Sequence, residues 1–411
     1  MRDRDLYAKI LGITAPWTVV DVKLDSVGGD VEVSIKHEEG KRAACPVCGD
    51  ASPRYDKRKR RWRHLDTCQY RTILVADVPR VNCRRHGVHQ IKVPWAEPGS
   101  SFTALFEALA IDWLKEASIK GVAAQLRLTW DQVDGIMSRA VDRGLFRQRK
   151  ELPCRIGVDE KSVGRGQDYL TVVTDLEQPH VLYVGEGRTR ECLHGFYTRF
   201  SEEELAQVEV VAMDMCRPYI EETKACVPDA EQKIAFDKFH VAQHLGKGVD
   251  KVRRLEHKDL LQFGPSPLTK TKYLWLTNPE NMKEHQAKAL AQLRRMDLKT
   301  ARAWAIKEHA MTLWDYARHG WAENAWRRWL NWTSRCRLEP MVKVGRMVRK
   351  HLAGILNAIV LNATNAASEG INSRLQWIKY MARGFRNRVR FRYAIYFHLG
   401  GLDLYPASLN P

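Results

Sequence analysis

No apolar run in this 411-residue chain reaches the ~20 residues that a bilayer span requires; among the longest, residues 352–363 fall well short. The opening Met1-Arg2-Asp3-Arg4-Asp5 has no apolar core with which to begin a secretory signal. A disulfide framework is missing too. The nine cysteines make an odd count, and Cys68, Cys192, Cys226 and Cys336 lie far from any paired-ligand spacing. Acid is in short supply: 49 Asp and Glu stand against 67 Lys and Arg, a formal net charge of +18. These deficits argue against a membrane span and a secreted disulfide scaffold, and predict a soluble cytoplasmic protein with reduced thiols. The cation excess calls for a polyanionic partner, nucleic acid ahead of an anionic membrane surface. The length accommodates about two to four modules.

What is present begins with a hairpin pattern over residues 17–37, in which Val20, Val22 and Leu24 and then Val31, Val33 and Ile35 alternate around Gly28-Gly29. Cys45-Pro46-Val47-Cys48-Gly49 follows, and a second knuckle, Cys83-Arg84-Arg85-His86-Gly87, lies beyond an alternating segment over residues 70–81. A two-residue gap lets a tight turn aim two side chains at one tetrahedral ion, and the following glycine relieves the backbone. Cys45, Cys48, Cys83 and His86 are therefore the candidate ligands of one structural Zn²⁺, with His89 and Cys68 in reserve for the fourth position. Between the knuckles, Lys57, Arg58, Lys59, Arg60, Arg61 and Arg63 surround Trp62. This run reads either as a phosphate-neutralising element whose aromatic stacks on a base or as a solvated finger tip, and its place inside a ribbon favours the first. Residues 102–116, 118–126 and 130–141 carry helical periodicity with a polar break at 127–129, which predicts a helix-turn-helix, with a plain helical hairpin as the alternative. Thr129, Asp131, Gln132, Asp134 and Arg139 are its groove-facing candidates, and Gln132 and Arg139 are the ones assigned to DNA.

From residue 153 the pattern becomes strand-rich: 155–158, 169–174 and 181–185, then 208–213, a helix over 218–226, and a fifth strand over 233–236. Three strands, helix, strand, helix, strand is the order of a ribonuclease H-like fold, in which the first and fourth strands are neighbours. Asp159 and Asp214 each close one of those two strands. Glu369 lies in a later helix, on a face shared with Asn365, Asn372, Ser373 and Gln376 and apart from Ile371, Leu375 and Ile378. Three such carboxylates suit two Mg²⁺ (or Mn²⁺) ions, which are hard cations taking a few carboxylate oxygens and the rest from phosphate. Asp237 and His240 follow the fifth strand; His240 reads equally as a contact to the scissile phosphate or as packing beside an N-cap aspartate. Residues 255–350 hold seven of the 13 tryptophans, which read first as the core of a helical insertion. Arg383, Arg386 and Arg388 follow the Glu369 helix and are assigned to phosphate contact.

Taken in order, Cys-x2-Cys, the helix-turn-helix, Gly157-Val158-Asp159-Glu160, Ala212-Met213-Asp214, Phe236-Asp237-Lys238-Phe239-His240 and Ser368-Glu369-Gly370-Ile371-Asn372 followed by Gly384-Phe385-Arg386-Asn387 resemble the ISL3 family of bacterial insertion-sequence transposases. The resemblance implies that Asp159, Asp214 and Glu369 are the DDE triad, and that the partners are double-stranded DNA (element ends and target) and a second copy of the chain, in a homodimer or larger complex. His86 stands where related sequences often carry Cys. The expected class is α/β plus α: a zinc ribbon over 1–98, a helix-turn-helix over 99–150, a ribonuclease H-like core over 151–254, a helical insertion over 255–350, and the remaining core helices with a basic terminus over 351–411. A non-catalytic DNA-binding regulator and a nuclease that cuts without joining are the alternatives.

Overall fold

The computed structural model describes residues 2–40, 42–149, 151–163, 168–363 and 366–407, with 366–369 described by backbone alone. The chain forms two compact units, Met1–Gln148 with Tyr396–Pro411, and Arg149–Ile395.

The first unit starts with α1 (Asp3–Ile10) and a sheet of β1 (Trp17–Asp25), β2 (Asp30–His37), β3 (Arg42–Ala44), β4 (Ala51–Arg63), β5 (Arg71–Cys83) and β6 (Gly87–Gln90). The β1–β2 turn forms as the Gly28-Gly29 signal requires: Asp25 Oδ1 accepts the Gly28 N–H at 2.8 Å, and Gly29 takes φ of 74°. The strand order is β1-β2-β5-β4-β3, with β6 on β5. Thus β5 is the central strand, and Leu74, Val78 and Val81 are fully buried. Trp17, Trp62 and Trp95 meet edge to face at 4.9 and 5.4 Å across the core.

That core corrects the reading of the basic run. Residues 57–63 are a strand, not a finger tip, and Trp62, 2% exposed, is packing rather than a stacking platform. Strand geometry alternates the side chains of such a run, so its inward positions must find internal partners. Arg63 is buried, pairing with Asp66 and donating to the His64 carbonyl at 2.6 Å, which removes it from DNA contact. Arg60 reaches Gln90 and the Ser100 carbonyl, Arg61 pairs with Glu32 at 2.9 Å and Lys57 with Glu39 at 3.1 Å, while Arg58 and Lys59 are exposed.

Three helices follow: α2 (Ala104–Glu116), α3 (Ile119–Leu126) and α4 (Trp130–Arg147). Ser118 caps α3 through the Gly121 N–H, Arg127 ends it in the left-handed region, and Thr129 with Gln132 forms a capping box on α4. Val122, Leu126, Val133 and Ile136 close the interhelical core. Helix α4 runs six residues past the expected end. Its extension carries Arg143, which with Arg139 surrounds the 1%-exposed Glu107: Arg139 donates at 2.6 Å, Arg143 at 2.9 Å, and Ser100 Oγ at 2.9 Å. Arg139 is therefore not groove-facing, because a buried carboxylate demands charged donors and takes this one. The chain's last described residues complete the unit: Arg147 pairs with Asp403 at 2.9 Å, and Leu402 packs on Gly144, where a Cβ would lie 2.7 Å from it.

The second unit is built on β7 (Arg155–Ser162), β8 (Tyr169–Asp175) and β9 (Val181–Glu186), then α5 (Arg190–Tyr197), α6 (Glu202–Ala206), β10 (Val210–Met213), α7 (Arg217–Cys226), α8 (Ala230–Lys233) and β11 (Ile234–Phe236). Gly164 and Gly166, between the first two of these strands, lie outside the described residues. The sheet order is β11-β10-β7-β8-β9, so the first and fourth strands are adjacent, as the pattern predicts. Along β10 the side chains alternate. Val211 and Met213 join Ile156 and Val158 under Phe196, Tyr197 and Tyr219, while Val210 and Ala212 pack with Ala235 and Ala358 on the other face.

Helix α9 (Lys238–Leu260) starts directly after β11 and runs through the expected boundary at residue 255. Then come α10 (Lys272–Leu276), α11 (Glu284–Arg294), α12 (Lys299–Thr312), α13 (His319–Arg335), α14 (Glu339–Lys350), α15 (Leu352–Val360), α16 (Ala366–Met381) and α17 (Arg388–Leu399). Trp275, Trp304, Trp326 and Trp329 are buried and Trp314 is partly so, while Trp321 and Trp332 are exposed. The tryptophans are thus mainly helical core. Buried Glu256 ties α9 to the start of α12, accepting the Lys299 and Thr300 N–H groups at 2.6 and 2.7 Å and the Thr300 hydroxyl at 2.6 Å. A carboxylate there meets both the orphan donors and the positive end of the helix dipole. No helix among the described residues is long and apolar enough to cross a membrane.

Because Trp62 is central to the first core, Trp62→Ala is expected to destabilise this unit by about 3–5 kcal/mol, measured by denaturant titration. An unchanged midpoint would return Trp62 to the surface.

Candidate active site and metal centre

The parallel ladder between β7 and β10 ends at the pair Val158 and Met213. Asp159 and Asp214 are the next residue on each strand, so adjacency follows directly from register. Asp214 ends its strand as the sequence suggests, and its Oδ1 accepts the Cys216 N–H at 3.0 Å in a tight turn leading to α7. Asp159 does not close β7, because the antiparallel ladder with β8 continues for four pairs from Asp159–Val172 to Ser162–Tyr169. It therefore stands where one neighbour strand stops and the other goes on, which opens its β10 side. Its Oδ2 receives Lys161 Nζ at 2.7 Å and Asn372 Nδ2 at 3.2 Å, and its Oδ1 the Glu160 N–H at 2.7 Å.

The Asn372 contact brings α16 onto the first aspartate. Glu369 lies one helical turn before Asn372 on that helix, and its side chain is outside the described residues, as is Asn365. His240, early in α9, is 3.9 Å from Asp237, whose carboxylate caps the helix through the Phe239 N–H at 2.8 Å. The N-cap reading of Asp237 is thus observed. Burial holds the Asp214 carboxyl above the ordinary carboxylate range; the Cys216 N–H and His240 oppose that shift, while Glu160 and Asp159 add to it. Lys161, Glu160 and Asn372 as partners of the two aspartates are what sequence reasoning missed. Glu160 is next to Asp159, but only the continuation of β7 reveals it as part of the site.

In the first unit, Cys45, Cys48, Cys83 and His86 converge with all four ligand atoms within 4.8 Å of one another. The contacts are 3.8 Å for Cys48–Cys83, 3.6 Å for Cys83 Sγ–His86 Nδ1 and 3.9 Å for Cys45 Sγ–His86 Nδ1. Tetrahedral Zn²⁺ with thiolate and imidazole ligands sets such edges at about 3.5–3.8 Å. Gly49 and Gly87 take φ of 76° and 75°, the left-handed turn that each knuckle needs. Backbone N–H groups of Arg85 and His86 pull the Cys83 thiol down to about 6. The Asp50 backbone favours the Cys48 thiolate, but burial and the adjacent thiols of Cys45 and Cys83 overcome it and push Cys48 up to about 11. Sulfurs so crowded ionise together only around a cation, which fits zinc. His89 instead contacts the His86 carbonyl at 2.7 Å and Cys68 is exposed, so both reserve candidates stand outside the cluster.

Of the remaining DNA-contact candidates, Gln132 is exposed, with its Oε1 engaged by the Thr129 N–H at 2.9 Å. Arg383 and Arg386 are exposed after α16, and Arg388 pairs with Asp168 at 2.6 Å. Among the described residues, the clusters of three or more metal-ligand side chains are the four-residue Cys45 set and a second one, His194, Glu222 and Cys226.

Comparison with known proteins defines the class as a transposase. A transposase family model of the DDE type matches residues 156–395, a model for the helix-turn-helix domain of transposase family ISL3 matches 91–141, and one for the zinc-finger of transposase IS204/IS1001/IS1096/IS1165 matches 41–86. The chain belongs to the ISL3 transposase family. It is similar to the transposase for insertion sequence element IS1557 of Mycobacterium tuberculosis, 27% identical with 94% of this chain and 93% of that one covered. It is also similar to the transposase for IS1001 of Bordetella parapertussis, 26% identical over 84% of this chain and 86% of that one. The helix-turn-helix and zinc-finger matches support DNA binding by the first unit and a structural zinc there.

Two outcomes follow. An acid whose folded pKa is raised favours the fold below its ordinary pKa and loses that contribution as pH rises through the folded value. Asp214→Asn is therefore expected to raise the thermal midpoint at neutral pH in Mg²⁺-free buffer and to flatten its decline with pH; an equal or lower midpoint would contradict the burial argument. Stripping zinc with a strong chelator is expected to abolish slow amide exchange over residues 42–90, with Cys45→Ser reproducing the effect, and persistent protection in both would show that the ribbon needs no ion.

Proposed function

We propose that the chain is a DDE transposase that binds the terminal inverted repeats of its insertion sequence, cleaves at the element ends and joins the freed 3′-OH ends to target DNA. The observation that carries this reading is the Asn372–Asp159 contact of 3.2 Å, which sets the helix of Glu369 against the β7–β10 aspartate pair. Asp159, Asp214 and Glu369 would hold two Mg²⁺ or Mn²⁺ ions within a ribonuclease H-like core whose helical insertion separates the third acid from the other two. The donor chemistry fits, since the hard carboxylates of Asp159 and Glu160 lie near enough to Asp214 to add to the rise in its pKa that burial causes. When bound, such ions lower the pKa of the attacking water or 3′-OH and stabilise the leaving oxygen.

The protein's own groups do the rest. Lys161 offsets the charge of Asp159, and Asn372 orients the same carboxylate oxygen. His240 lies close enough to Asp214 to oppose the rise in its pKa, and from there would meet the scissile phosphate. The ribbon and helix-turn-helix would supply end recognition, with Gln132, Arg58 and Lys59 as exposed contacts, and Arg383 and Arg386 would take phosphates beside the α16 helix. Bringing two ends together requires at least a dimer of the chain, acting in the cytoplasm on nucleoid DNA.

The test is a Mg²⁺-dependent strand-transfer assay on a fragment bearing the element's ends. Substituting a group that only orients a metal ligand lowers activity about 10–100-fold, so removing a direct ligand in Asp214→Asn should lower joining by at least ~100-fold with DNA binding intact. Wild-type joining by that variant would overturn the triad. Free ends without joined product would indicate a nuclease, and binding with neither activity a regulator.

A further inference from the structure

A second group of metal-ligand side chains sits away from the aspartates. Glu222 lies on α7 with Cys226 one turn later on the same face, and His194 faces them from α5. The Glu222 carboxylate is 5% exposed, and its two oxygens are divided. Oε2 receives Arg190 Nε at 3.1 Å, which neutralises it. Oε1 is where the other two converge, His194 Nδ1 at 2.7 Å and Cys226 Sγ at 3.1 Å, with Sγ and Nδ1 4.0 Å apart. A tetrahedral ion bound by oxygen, nitrogen and sulfur places those atoms about 3.3–3.6 Å from one another, so shifts of a few tenths of an ångström complete the set. We propose that His194 Nδ1, Glu222 Oε1 and Cys226 Sγ form a second transition-metal site, of zinc type, which clips α5 to α7 and has a fourth position open to water.

The chemistry of the three groups agrees with this. Burial works to raise the Glu222 carboxyl, yet the contacts from Cys226, His194 and Arg190 outweigh it and hold the group ionised. Burial and then the Glu222 charge push the Cys226 thiol up to about 12, so the thiol keeps its proton while a carboxylate faces it. An incoming divalent ion replaces that proton, which leaves to solvent, and satisfies the same oxygen with twice the charge. Thiolate, imidazole and a single carboxylate oxygen select zinc or cobalt over Mg²⁺, which prefers an all-oxygen shell. The ion has a way in, because an open cleft of about 750 Å³ is lined by Cys226 together with Tyr197, Lys224, Asp229 and Glu231. The site has a structural consequence, since α7 begins just after the turn that holds Asp214.

Cobalt(II) titration of the full chain provides the test, because thiolate-to-cobalt absorption reports sulfur-bound sites and ignores carboxylate-only ones. Wild type is expected to fill two such sites. Cys226→Ser should eliminate one and leave the ribbon site, whereas Cys45→Ser should eliminate the other. His194→Ala, at a half-exposed position that does not threaten folding, should weaken the second site at least ~10-fold. A wild-type titration that saturates after one thiolate site, or Cys226→Ser and His194→Ala titrations identical to wild type, would overturn the proposal.

Discussion

The parallel register of β7 against β10 is the constraint on which the second unit depends. It makes neighbours of two carboxylates from distant parts of the sequence, and its ending at Val158 and Met213 leaves both at the edge of the ladder rather than within it. Moving β10 by one residue would turn Val211 and Met213 out of the Phe196–Tyr219 core and Asp214 into it. Register and hydrophobic alternation therefore enforce the same arrangement, and site geometry cannot drift without loss of the core. The tension at the site follows from this: burial favours a neutral Asp214, while the metal-holding role proposed for it favours a charged one.

Much of this was legible in the residues, for reasons specific to each element. Strand order could be read because the β-like runs are short, apolar and separated by turn signals, and paired knuckles have few meanings apart from a metal. Asp159 reads as a strand end because the residues beyond Val158 are polar, and only the β8 partner shows that pairing continues. Trp62 is hidden in the sequence because a cation-rich neighbourhood resembles a nucleic-acid surface, whereas strand geometry sends successive side chains in opposite directions. Arg63 and Arg139 depart from the expected DNA contacts for a related reason: a sequence displays charges without displaying which are buried, as Arg63 is, or turned to a buried carboxylate, as Arg139 is to Glu107. Lys161 and Asn372 were invisible as partners of Asp159 because their meeting is long-range or depends on where a strand stops.

The cation excess accordingly divides into two populations. Arg139 and Arg143 are taken up by the buried Glu107, which would otherwise lack a charged partner, and Arg63 is itself buried beside Asp66. Arg58, Lys59, Arg383 and Arg386 remain exposed, and they belong to a net charge of +18 that screening by salt would weaken. Counting basic residues overstates the DNA-binding surface, and burial is what corrects the count.

The first unit is not a contiguous stretch of chain. Leu402 packs on Gly144, Asp403 pairs with Arg147, and Tyr405 bonds with Asp112 and Lys115, so residues from the far end of the sequence finish a fold begun at its start. During synthesis this unit waits for the whole second unit to be made before its last contacts form. In genetic terms, a frameshift anywhere in the second unit does more than truncate that unit. It also leaves the amino-terminal unit without its closing residues, so a broken copy of the gene is poorly placed to persist as a compact DNA-binding competitor of intact ones.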